Sequence, residues 1–278
     1  MKPQALLDRL YFDKKDYELL GIVNDVLQGD DAPNLKSLLT PYLHPHGIKE
    51  MAATTGLRIA YAVVRLFRSL ERSDVEERLR TLRALREEIY SSSGVALRNN
   101  TARVLLQIMK ELVRAEDENL KLELARDFRE AATGRPRAVT RQLRKYHLVE
   151  MPEQWNQITF DDHVHDANTK GRKSATHLIM DAWIKGIRRL RVIYYNYVTP
   201  EVAEELMRAA EIMDVNVRIG LEFSPRFRGR YFRLIWTPRG FTDSRDFLDF
   251  IRQSEVQQFM DEVQPFPGTS LSINRKVA

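Results

Sequence analysis

The chain has 278 residues, enough for two modest cores or one large one. With 43% hydrophobic and 30% charged residues it reads as an ordinary soluble globular protein, and a net charge of +5 is too mild to mark a nucleic-acid binder by itself. No apolar run has the length of a membrane span, no apolar signal core follows Met1, and the lack of cysteine excludes disulfide staples and thiolate metal sites; a cytoplasmic location is expected.

From Pro3 to about His147 the pattern is helical almost throughout, which predicts an all-helical domain over residues 1–150. Short helices are expected at 4–11, 17–27 and 35–43. His44-Pro45-His46 reads as a proline-broken loop rather than a metal site, since no acid is placed nearby. Arg58 and Arg65 interrupt the apolar helix at 57–67. Ser73-Asp74-Val75-Glu76 has the form of a capping box with Ser73 as the cap, and Val75, Leu79, Leu82, Leu85 and Ile89 then recur at helical spacing. Residues 91–94, Ser-Ser-Ser-Gly, read as a loop. A second run carries Val104, Leu105, Ile108, Leu112 and Val113; a third carries Leu120, Leu122, Leu124 and Phe128 and stops before Gly134-Arg135-Pro136. A basic stretch follows at Arg135, Arg137, Arg141, Arg144 and Lys145.

After Met151-Pro152 the grammar changes, and residues 151–278 are expected to form a β/α domain. Strands are predicted at 157–162, 190–195, 215–222 and 231–236. Between them, 174–186 reads as a helix capped by Ser174 and stopped at Gly186. Thr199-Pro200-Glu201 opens another, as cap, proline and acid, with Val202, Leu206, Ala209 and Met213 on its buried side. Helices follow at 243–252 and 256–263. Strands and helices in alternation with short links imply right-handed crossovers and a parallel sheet.

In such folds the working groups sit at the carboxyl ends of the strands. The first strand runs into Asp161-Asp162-His163-Val164-His165, and strand alternation puts both imidazoles on one face, roughly 7 Å apart along the chain. Two imidazoles so placed can share a metal ion. The third strand ends in Gly220-Leu221-Glu222 and delivers a carboxylate to the same rim. Arg226, Arg228 and Arg230 follow at once, with Arg233 beyond, where guanidinium groups can hold phosphate oxygens; Phe223, Phe227, Tyr231 and Phe232 lie between them, an interleaving that also suits single-stranded nucleic acid. His177 falls inside an amphipathic helix as a packing or surface residue, and Trp183, Tyr194, Tyr195 and Tyr197 read as core and rim.

Order and spacing over residues 157–224 resemble the polymerase and histidinol phosphatase (PHP) superfamily of metal-dependent phosphoesterases. The family's Asp-Leu-His-x-His is matched by Asp161-Asp162-His163-Val164-His165, and its Ser-Asp-Gly by Thr169-Lys170-Gly171. Its Lys-Gly-Leu is matched by Lys185-Gly186-Ile187, its Thr-Asp-His-Asn by Ile193-Tyr194-Tyr195-Asn196, and its Gly-x-Glu by Gly220-Leu221-Glu222. The resemblance implies a partial, TIM-barrel-related β/α domain. It places His163, His165 and Glu222 at ligand positions for a divalent metal (zinc, manganese or iron), with Asp161 in the catalytic set, orienting a histidine.

Departures accompany the matches. Lys170 stands where the family has an acid, and Tyr194-Tyr195 where it has Asp-His; a lysine cation repels a metal, and a neutral phenol is a poor ligand. No histidine follows His177, and about 120 residues remain where a whole barrel takes about 200. The expected function is therefore a metal-dependent phosphoesterase of the PHP type, or the front part of one. The alternatives are a catalytically degenerate PHP-like domain, its metal lost, with a helical binding or assembly module, and a nucleic-acid-binding protein. The expected partners are a phosphorylated substrate or nucleic acid, with no membrane, and a homo-oligomer or further domains.

Overall fold

The computed structural model describes residues 12–28, 41–43, 49–51, 55–72, 74–92, 97–150, 159–241 and 243–262. The chain divides into two compact units, one of residues up to Gln157 with Ile184–Gly186, the other of Ile158–Trp183 with residues from Ile187 onward. Among the described residues no helix is long and apolar enough to cross a membrane.

The first unit holds six described helices: α1 (Lys14–Gln28), α2 (Thr55–Arg72), α3 (Val75–Ser92), α4 (Arg98–Arg114), α5 (Glu118–Ala132) and α6 (Pro136–Lys145). α1 packs on α2 and α5, α2 on α3, and α4 on α5 and α6. Their apolar stripes (Val63, Val64, Leu82, Leu105, Ile108 and Phe128 among them) are enclosed in the core. Leu120, expected within the third stripe, is exposed.

Three local expectations for this unit change. Within 35–43, Pro41–Leu43 is not helical but a strand, β1, paired antiparallel with β2 (Lys49–Met51); residues 35–40 lie outside the described residues. Proline lacks the N–H and clashes with the preceding turn in a helix interior, whereas an edge strand tolerates it. α3 is capped by Asp74, whose Oδ1 accepts the Glu77 N–H at 2.8 Å, so the acid takes the role assigned to Ser73, which lies outside the described residues. α3 also runs through Ser91 and Ser92, so that part of the expected loop is helix. The helix expected at 4–11, the loop histidines His44 and His46, and residues 93 and 94 lie outside the described residues.

One ion cluster ties α1 to α5. Arg129 donates through Nη2 to Asp13 Oδ2 at 2.9 Å, and through Nη1 to Asp16, whose residue is only 2% exposed. The hydrogen bond from Arg129, outweighing burial and helped by the Lys15 backbone N–H, holds the Asp13 carboxyl below its usual range.

The second unit is built on a four-stranded sheet of order β3-β4-β5-β8, with β3 (Phe160–Val164), β4 (Arg189–Tyr195), β5 (Asn216–Phe223) and β8 (Leu234–Trp236). α7 (Ala175–Lys185) connects β3 to β4, and α8 (Pro200–Met213) connects β4 to β5. These three strands are parallel, but β8 returns antiparallel to β5, so the sheet is mixed and the all-parallel expectation is corrected. The reason is the intervening connection: β5 and β8 are joined by a short hairpin, β6 (Arg226–Phe227) and β7 (Arg230–Tyr231), rather than by a crossover helix, and parallel pairing needs a crossover. Arg228 and Gly229 at its tip both have positive φ, as a two-residue hairpin turn requires. Tyr231 therefore belongs to the hairpin, not to the fourth strand.

Alternation sorts the sheet's side chains. Leu190, Val192, Tyr194, Ile219 and Leu221 lie on one face and are buried. On the other face Arg191 pairs in register with Arg218, and Tyr195 with Glu222. α8 starts at Thr199, whose Oγ1 accepts the Val202 N–H, with Pro200 in its first turn. α9 (Ser244–Arg252) is capped by Asp243, and α10 (Ser254–Glu262) follows.

Replacing Arg129 with alanine leaves the enclosed Asp16 carboxylate without its cation. The expected loss in urea unfolding is about 3 kcal/mol, with no change in the carboxyl-end geometry of the second unit.

Candidate functional site

The site forms where β3, β4 and β5 end together. β3 carries a bulge between Asp161 and Val164, and the His163 N–H donates to Asp161 Oδ1 at 3.2 Å across it. The contact of Asp161 is thus with the backbone that presents His163. The His163 and His165 rings lie 5.0 Å apart, edge to face, and His163 Nε2 is 3.7 Å from Glu222 Oε2. The two imidazoles and the carboxylate, distant in sequence, meet at one mouth of the sheet.

His165 is oriented from below. Its Nδ1 lies 2.8 Å from the Ile193 carbonyl, which can only accept, so Nδ1 carries the proton and Nε2 keeps its lone pair. Thr169 Oγ1 sits 3.2 Å from the same nitrogen. The Tyr195 ring lies beside His165 at 5.2 Å, and the Lys170 ammonium stands 4.6 Å from the Tyr195 ring centre. Burial, helped by the charges of His163 and Lys170, lowers the pKa of His165 below the ordinary value of 6.5, although the Ile193 hydrogen bond and Glu222 act the other way. The folded ring thus releases its proton at lower pH than the unfolded ring. Its contribution to stability is complete above 6.5 and fades as pH falls through the lowered value.

Glu222 is the deepest charge at the mouth, 5% exposed. Arg233 Nε reaches its Oε1 at 3.0 Å, whereas Oε2 has no hydrogen-bond partner among the described residues. A buried carboxylate oxygen in that state favours any donor or cation brought to it. Tyr195 Oη is likewise enclosed and without a hydrogen-bond partner among the described residues.

The loop after β3 is fixed by a residue that the sequence reading passed over. Asp166 is fully buried and accepts from the Tyr194 hydroxyl at 2.7 Å, the Asn168 N–H at 2.9 Å and Asn168 Nδ2 at 3.1 Å. Burial and the Asp166 charge hold the Tyr194 phenol protonated, well above its usual range. The Asp166 carbonyl accepts the Gly171 N–H at 2.8 Å, and a Cβ on Gly171 would stand 2.3 Å from the His165 carbonyl oxygen. Only glycine fits this approach. The one sequence signal for Asp166 was its position directly after the histidine pair.

The remaining candidates fall as follows. Arg228 and Arg230 are exposed on the hairpin, and the side chain of Arg226 lies outside the described residues. Trp183 and Tyr194 are core, while Tyr197 is exposed. In the basic stretch of α6, Lys145 pairs with Asp127 at 2.6 Å and Arg141 with Glu130, so α5 neutralises part of it. A separate cleft of about 650 Å³ opens at the amino end of β5, lined by Arg218, Arg239, Phe241 and Phe247 among others; no sequence-selected residue lines it.

No family model, no curated protein and no solved structure matches the chain.

A metal ion at the mouth can be tested against the donors themselves. In favour are the pair His163 and Glu222 and the orphaned Glu222 Oε2. Against it, Arg233 occupies the other carboxylate oxygen, Lys170 brings a cation to the His165–Tyr195 edge, and Tyr194 is committed to Asp166. Among the described residues no group of three or more His, Cys, Asp or Glu is arranged to hold a metal ion. The donor set does not fit a metal cage as it stands.

Two measurements check this geometry. Gly171→Ala is expected to cost about 1–3 kcal/mol in denaturant unfolding, because backbone rather than a flexible side chain must yield. Lys170→Gln is expected to move the NMR titration midpoint of His165 upward, part of the way back toward 6.5, burial remaining as the larger cause.

Proposed function

We propose that the second unit is a PHP-like, TIM-barrel-related β/α domain whose mouth binds a phosphoester through the protein's own cations, in place of the metal ions used by the family it resembles. The observation that supports this reading most is the substitution of charge at the mouth. Lys170 and Arg233 bring cations to the places where the resemblance calls for metal or its ligands. Glu222 then serves as an anchor, orienting Arg233 through Oε1 and facing His163 through Oε2. Arg228 and Arg230, exposed on the adjoining hairpin, add charge for phosphate oxygens. The helical unit is then a binding or assembly module, and the cysteine-free chain fits the cytoplasm.

A second reading, metal-dependent hydrolysis, is favoured by one specific observation. The Glu222 oxygen nearest His163 has no hydrogen-bond partner among the described residues, and His165 keeps its Nε2 lone pair. If Arg233, which is mostly exposed, swung away, His163, His165 and Glu222 would be the donors, and the metal would polarise a phosphoester and activate water.

Calorimetry on the full chain, stripped of metal by a chelator that is then dialysed away, separates the two. The proposal expects inorganic phosphate to bind, and Lys170→Gln and Arg233→Gln each to weaken it roughly tenfold or more, as the loss of a charge-assisted hydrogen bond does. Stoichiometric uptake of zinc or manganese, lost in His163→Ala and accompanied by phosphoester turnover, would establish the hydrolytic reading instead.

A further inference from the structure

We infer that the β6–β7 hairpin is a contact arm for single-stranded nucleic acid, delivering one phosphate of the strand to the mouth beside Glu222. The inference rests on the phosphoester-binding reading above and names its ligand class.

The hairpin departs from the rest of the described surface in what it exposes. Tyr231 is 73% exposed and Phe232 47% exposed, and Leu234 and Ile235 beyond them are also open. Contiguous exposed apolar groups of this size mark contact surfaces. Here they are interleaved with cations: Arg228 and Arg230 precede Tyr231, and Arg233 follows Phe232, all of them exposed. Flat aromatic faces set between guanidinium groups are what a single strand requires, since each nucleotide offers a base to stack and a phosphate to hold. A phosphorylated small molecule uses the charges but leaves the rings idle.

Geometry links this arm to the mouth. Positive φ at Arg228 and Gly229 closes the hairpin in two residues, and the Phe232 N–H donates to the Pro225 carbonyl at 3.0 Å, folding the base of the arm back on itself. Arg233, two residues past Tyr231, touches Glu222 Oε1 at 3.0 Å. A strand stacked on Tyr231 and Phe232 would thus lie next in the chain to Arg233, whose guanidinium already stands at the mouth on Glu222. The charges of this arm complement a polyanion, which argues for nucleic acid over a neutral protein partner.

Fluorescence anisotropy of the full chain with labelled oligo-dT and oligo-U, over a range of salt, tests the proposal. Binding is expected to fall linearly on logarithmic axes. Arg228→Gln combined with Arg230→Gln should reduce the slope by about 1.4, two phosphates at roughly 0.7 each. Tyr231→Ala combined with Phe232→Ala should weaken binding about tenfold or more per lost stack while leaving the slope unchanged. A preference between the DNA and RNA strands would identify which sugar is recognised and supports the proposal either way. Binding of duplex as tight as single strand, with the aromatic variant unaffected, would overturn it. So would capture of anionic vesicles, or self-association lost in the aromatic variant, with no oligonucleotide bound. If inorganic phosphate binds and oligonucleotides do not, the arm is refuted and the mouth stands; if neither binds, the phosphoester reading itself fails.

Discussion

A carboxylate buried at the end of a sheet has to be met by donors or cations, and the mouth of the second unit is organised around that requirement at Glu222. The parallel register of β4 and β5 sets Glu222 directly beside Tyr195, and the bulge in β3 leans His163 toward it. Arg233 reaches back from the far side of the hairpin to one of its oxygens. The other oxygen is left facing an imidazole at 3.7 Å, too long for a hydrogen bond. For the anion-binding mouth proposed above, an acid at the centre is an aid rather than an obstacle. The acid fixes the direction of an otherwise mobile guanidinium, and a fixed guanidinium loses less freedom when it takes hold of a ligand.

Behind the mouth, a second buried acid has a different fate. Asp166 is satisfied three times over, by a phenol and by the backbone and side chain of Asn168. The consequence is rigidity: the loop from His165 to Gly171 is tied at Asp166 by both its carboxylate and its carbonyl. The two acids illustrate how burial alone does not define a site. Fully bonded, a carboxylate is structure; partly bonded, it is available chemistry.

Much of this was legible in the sequence, for reasons that can be named. A strand has period two, so His163 and His165 fall on one side by arithmetic, and a parallel βα series puts the ends of its strands in one place. Thr199-Pro200 announced its helix through capping chemistry that is local to a few residues. What was not legible depended on partners far away in sequence. The direction of β8 is invisible to periodicity, because alternation reads the same forwards and backwards. Tyr194 looked like the loss of a ligand; only its 2.7 Å bond to Asp166 reveals what it does instead. Pro41–Leu43 is too short for any period to show, and the cap of α3 moved by one residue because serine and aspartate offer the same acceptor.

The antiparallel return of β8 has a mechanical side. Ile235 stands opposite Glu222 in that ladder, and Leu234 opposite Phe223, so the strand leaving the hairpin is riveted by main-chain bonds to the strand that carries the acid. A shift of the strand that leaves the hairpin would therefore be felt at the acid through that ladder.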